Sequence, residues 1–147
     1  MLGERDETSR TPQPMTYDLS DWPTDLKQAE RRYRALVLSL VERYGFTFGE
    51  ASPDPIQLVR DFLRGERSSE DLEQASQVWQ DFAFAPERLG DFRSRDALEA
   101  RLAITLLRKM RADEELENYL SWLVELFGYL GYRQGVRDLV YARQDQT

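Results

Sequence analysis

Between Asp96 and Met110 nearly every position is apolar: Ala97, Leu98, Ala100, Leu102, Ala103, Ile104, Leu106, Leu107 and Met110. Only Arg101, Thr105 and Arg108 make a polar stripe through its middle. A helix apolar nearly all round has to be covered on most sides, so the remaining chain must wrap it. The next periodic stretch supplies a first cover. Leu116, Tyr119, Leu120, Leu123 and Phe127 recur at helical spacing and make one face. The pattern predicts an antiparallel helical hairpin, 96–110 and 114–127, turning at Arg111, Ala112 and Asp113. The expected fold is all-α, a single-domain bundle of about five to six helices around that hairpin.

The other helices follow from their start and stop residues. A first long helix is expected from Pro23 to Tyr44, with Asp25 at its positive end and Gly45 as a left-handed stop. Gly45 to Gly49 alternates around Phe46 and Phe48 and reads as a loop with two buried aromatics, because a lone strand has no partner. Asp54 caps and Pro55 opens a short helix to Arg64, ended by Gly65. Ser68 and Asp71 have capping-box spacing and open a helix to Phe82. Asp96 and Glu99 have the same spacing at the start of the central helix. Gly128, Gly131 and Gly135 are expected to interrupt the chain before a last helix, 136–143. Residues 1–16 read as a tail, with the domain over 17–143 and a frayed end at 144–147. Tyr17, Leu19 and Trp22 would pack on the bundle.

Several chemistries are excluded by residue type. The chain has no His and no Cys. That removes histidine general bases, cysteine nucleophiles, Cys/His zinc sites and Glu-x-x-His di-iron bundles. No Gly-x-x-x-x-Gly-Lys phosphate loop occurs, and Lys27 and Lys109 are the only lysines. The net charge of −7 argues against a nucleic-acid partner. The Lys27, Arg31, Arg32 and Arg34 cluster is interrupted by Glu30 and reads as a solvated helix face. No apolar run approaches the roughly 20 residues of a membrane span. The polar N-terminus lacks signal-peptide order, so a cytoplasmic protein is expected.

Acids concentrate in two places. Residues 66–91 carry seven acids against two bases, and 113–125 carry five acids and no base. Close to the second lie Trp122, Tyr129, Tyr132 and Arg133, residue types that anchor interfaces. The expected function is therefore non-enzymatic protein binding without a cofactor. Small acidic inhibitors of the immunity or antitoxin kind, and accessory subunits, share this general build. The expected docking residues are Glu70, Asp71, Glu73, Glu114, Glu115 and Glu117, with Trp122, Tyr129, Tyr132 and Arg133. Their partner would be another protein with a basic surface, and self-association stays open.

An enzymatic alternative rests on Glu70-x-x-Glu73 and Glu114-x-x-Glu117. Each pair shares a helix face, and two facing pairs could hold Mg²⁺. The pairing is similar to that of the all-helical nucleotide pyrophosphohydrolases of the MazG type. That resemblance implies Mg²⁺-dependent hydrolysis carried by these four glutamates. Acids in a helix's first turn are, however, favoured there by the helix dipole alone.

Overall fold

The computed structural model describes residues 22–49, 51 and 53–145, with side chains as far as residue 140. The expected tail, Tyr17 and Leu19 lie outside the described residues, as does the end of the expected frayed segment. Within the described residues the chain is helical with no strand: α1 (Leu26–Arg43), α2 (Pro55–Leu63), α3 (Ser69–Ala75), α4 (Gln77–Ala83), α5 (Arg95–Leu107), α6 (Leu116–Tyr129) and α7 (Arg133–Asp145).

The helix ends follow from local chemistry. Asp25 caps α1 by accepting from Gln28 N at 3.0 Å, so α1 begins after Pro23 rather than at it. Asp54 caps α2 through Ile56 N at 3.1 Å, with Pro55 at the first helical position. Both halves of the Ser68/Asp71 capping box are made at α3. Three helices end in the same way. Gly45, Gly65 and Gly131 have φ of 72°, 82° and 98°. Each N–H returns to a carbonyl near the helix end, and the next residue's N–H reaches the carbonyl one residue further back, as in Gly131 N to Gly128 O at 3.1 Å and Tyr132 N to Phe127 O at 2.7 Å. This is the Schellman arrangement, and only glycine takes the left-handed position without strain.

Four sequence expectations need correction. The helix expected over 69–82 is broken at Ser76, which is fully buried. Its hydroxyl donates to Glu73 O at 2.6 Å and accepts from Gln80 Nε2 at 2.7 Å, a side-chain competitor for the helical ladder. The Asp96/Glu99 capping box is not used, because α5 starts one residue earlier with Ser94 as N-cap. Asp91 instead accepts from Arg93 N, Ser94 N and Ser94 Oγ. The last helix spans Arg133–Asp145, longer at both ends than the expected 136–143. Finally, α5 does not continue to Met110. The backbone turns extended at Arg108 (φ −70°, ψ 140°), and 108–115 joins α5 to α6 where a three-residue turn was expected.

The core is the wrapping that the all-round apolar stretch requires. Every residue of α5 from Ala97 to Leu107 is buried except half-buried Glu99. Around it lie Val37, Leu40 and Val41 of α1, Val59 of α2, and Leu123, Leu126 and Phe127 of α6. The 46–48 segment is a loop with both aromatics buried, and Phe48 meets Trp79 edge-on at 5.8 Å. Tyr44 stacks on Tyr132 at 4.1 Å, so the end of α1 meets the start of α7. Gly135 is needed at that contact: a Cβ there would stand 2.3 Å from the Tyr44 hydroxyl.

Candidate functional site

The early end of α5 has a specific cause. Arg34, expected on a solvated face, is only 1% exposed. Its Nη2 donates to Leu107 O at 3.0 Å and Arg108 O at 3.1 Å, taking carbonyls that a helix would leave orphaned at its C-terminus. Its guanidinium carbon lies 4.6 Å from the centre of the Phe62 ring. Glu30, one turn back on α1 and 5% exposed, sits 3.4 Å from Arg34 Nη2. Glu30 also accepts from Met110 N at 2.9 Å and from the Ser69 hydroxyl. Burial pulls the Arg34 guanidinium below its ordinary pKa, and Glu30, Glu73 and Glu70 push back in that order.

Two residues expected to meet a partner belong to this same structure. Glu73 accepts from Lys109 N at 2.5 Å, and Glu70 holds Lys109 Nζ at 2.6 Å. Asp71 is the returning half of the α3 capping box. Glu114 is exposed, Glu115 is the N-cap residue of α6 and Glu117 sits half-buried in its first turn. Among the described residues no group of three or more carboxylates gathers where it could hold a metal ion.

The four interface-type residues each have their own neighbours. Trp122 is half-buried, and its Nε1 donates to Thr105 Oγ1 at 3.0 Å. Tyr129 stacks on Phe92 at 4.9 Å. Tyr132 is held by Tyr44 and, edge-on at 5.8 Å, by Phe46. Arg133 folds back toward Gly128, where an added Cβ would lie 2.9 Å from its Nε.

Two features emerge that the sequence pattern missed. The first is a cavity of about 200 Å³ between α1, α5 and α6. Tyr33, Tyr119 and Trp122 wall it, Glu30 lies at its inner side, and exposed Arg108 and Glu114 line it from the 108–115 segment. The second is an apolar surface built on Arg101. This residue is 7% exposed, and its Nη2 donates to Leu89 O at 2.8 Å, pinning the loop after α4. Its guanidinium carbon lies 4.4 Å from the Phe92 ring centre and 5.7 Å from that of Phe84. Phe84 and Phe92 thus flank its guanidinium, and Tyr129 adjoins it through Phe92; Phe84, Leu89 and Tyr129 are 41%, 56% and 44% exposed.

The base of that surface carries a pH-dependent element. Asp91 is held down to about 2, chiefly by the Ser94 hydroxyl, then by the Ser94 and Arg93 amides. The unfolded-state value is about 3.9. A depressed carboxyl contributes stability that is present above the unfolded value and is lost as pH falls through the folded one. The protection factors of the Arg93 and Ser94 amides, exchange rates divided into their intrinsic rates at each pH, should therefore hold down to about pH 4 and fall from there toward pH 2. In Asp91→Asn the protection factors should be smaller at neutral pH and flat across that range. Equal protection of the two proteins at pH 6 would remove Asp91 as the anchor. Comparison with known proteins finds no matching family model, no similar curated protein and no similar solved structure.

Proposed function

We propose that this chain is a non-enzymatic protein-binding module, a small acidic inhibitor or accessory subunit that docks on a larger protein. The observation that supports this reading is that three exposed apolar residues are tied to the buried Arg101: Phe84 by ring contact, Leu89 by its carbonyl and Tyr129 through Phe92. Exposed apolar side chains scattered singly need no explanation, but a group held on a fixed base does. Arg101 fixes the loop by hydrogen bonds, and Phe92 fixes Tyr129 by stacking, so little ordering entropy remains to be lost on docking. The nearby acids Glu87 and Glu125 are exposed, and the chain's net charge is −7. A partner with an apolar recess edged by bases matches both properties. The carboxylates of 113–117 would add to steering, whereas Glu70 and Glu73 are drawn inward to Lys109.

The test is co-purification of the tagged full chain from its native host, with Leu89→Ser/Tyr129→Ser beside the unaltered protein. Both positions are exposed, so the variant should keep its helical circular dichroism and melting temperature. Loss of two anchors should weaken the complex by roughly 30-fold or more. Glu114→Gln/Glu117→Gln should slow association at low salt, with little change at high salt. A partner retained equally by the Leu89/Tyr129 variant would move the interface elsewhere. A chain that elutes with no stoichiometric partner even at low salt would remove the binding-module reading.

A further inference from the structure

We propose that the cavity between α1, α5 and α6 is a binding site for a free α-amino acid with an apolar side chain, held as its zwitterion. The interior leaves little for a polar ligand group to satisfy. Glu30 is engaged by Arg34, Met110 N and Ser69. The Trp122 indole N–H is taken by Thr105 Oγ1, whose own hydrogen goes to Arg101 O at 2.7 Å. The Tyr33 hydroxyl donates to Tyr119 O at 3.2 Å. What remains facing the space is ring and aliphatic surface: Tyr33 and Tyr119 set edge-to-face at 5.5 Å, Trp122, Ile104 and Met110. The volume is about 200 Å³, and a cavity of about 150 Å³ already takes a benzene molecule. A side chain the size of Leu, Met or Phe fits.

The exposed side of the lining differs in kind. It carries one cation, Arg108, and one anion, Glu114, both exposed and both on the 108–115 segment, with Glu114 also accepting a hydrogen bond from the Tyr119 hydroxyl. That segment is fixed, because Tyr119 accepts from Arg111 N at 2.8 Å and Glu30 from Met110 N. A simple anion would bring like charge against Glu114, and a simple cation would do so against Arg108. A zwitterion satisfies both, its carboxylate on the Arg108 guanidinium and its ammonium on the Glu114 carboxylate, while its side chain enters the aromatic space.

The experiment titrates the ¹⁵N-labelled full chain and follows the Trp122 indole N–H, identified by its disappearance in Trp122→Phe. The probes are L-leucine, L-methionine and L-phenylalanine. L-phenylalaninamide lacks the negative charge, and N-acetyl-L-phenylalanine lacks the positive one. At least one free amino acid should shift the resonance saturably, and each one-charge analogue should bind about tenfold more weakly or worse, as loss of one charge-assisted hydrogen bond requires. Arg108→Gln should erase the preference over the amide and keep that over the N-acetyl compound. Glu114→Gln should do the reverse. Both positions are exposed, so neither change threatens the fold. The proposal is overturned if no free amino acid shifts the indole up to about 10 mM. It is equally overturned if the analogues bind as well as the zwitterion, or if the two variants do not show the crossed pattern.

Discussion

Replacing Arg34 with methionine is expected to destabilise the fold by roughly 3–5 kcal/mol, the usual consequence of removing one member of a buried ion pair. The methionine fills the space, so packing loss is a small part of this. The larger part is Glu30, 5% exposed and left as a buried carboxylate without its cation. The carbonyls of Leu107 and Arg108 lose their donor as well. In a chain of 147 residues that should lower Tm on the order of 10 °C. Urea unfolding of the single and double variants, with Glu30→Gln as the other single, gives the coupling between the two positions. It should lie at roughly 1–3 kcal/mol, because both side chains hold the same backbone segment. The double variant should stay well below the unaltered protein, since it still strips the Leu107 and Arg108 carbonyls of their donor. A loss under about 1 kcal/mol in Arg34→Met would mean that water already serves these groups and that the pair does not terminate α5.

The arginine's place could not be read from the sequence. Glu30 and Arg34 are spaced i, i+4, which describes an exposed helix pair as well as a buried one. What distinguishes them is segment 107–110, more than seventy residues away, and periodicity carries no information about it. The same blindness misplaced the end of α5. Leu106, Leu107 and Met110 all belong to the core, so the apolar pattern runs through Arg108 although the helix does not. The stops and starts at Gly45, Gly65, Asp54 and Ser68 were legible because their chemistry is complete within about five residues. Ser76 was not, since a serine within an amphipathic run is usually carried along by it. Of the expected docking residues, Tyr129 reaches the Arg101 cluster, through Phe92. The pattern of acids and aromatics marked helix faces, while that surface is assembled by a loop whose carbonyls reach an arginine on α5.

Truncating Phe127 to alanine should cost about 3–5 kcal/mol, at the upper end for a buried aromatic. Phe127 is fully buried, 5.8 Å from Phe46 and 6.1 Å from Tyr44 between ring centres. Both of those rings also contact Tyr132. Removing the ring therefore opens a cavity at the point where α1, the 46–48 loop, α6 and the start of α7 meet. Collapse into that cavity is resisted from both sides. The Tyr44 hydroxyl already abuts Gly135, and the left-handed turn at Gly131 fixes how α7 leaves α6. A typical domain of this size holds only about 5–15 kcal/mol in all, so the variant should be marginal at physiological temperature. Chemical denaturation reads the total. Native-state hydrogen exchange reads its distribution: protection in α7 should fall first, because among the described residues Val136 and Val140 anchor it in the core and the Tyr44 stack on Tyr132 holds its start. A loss below about 1.5 kcal/mol, with α7 amides still protected, would show that α7 is held independently of the aromatic cluster.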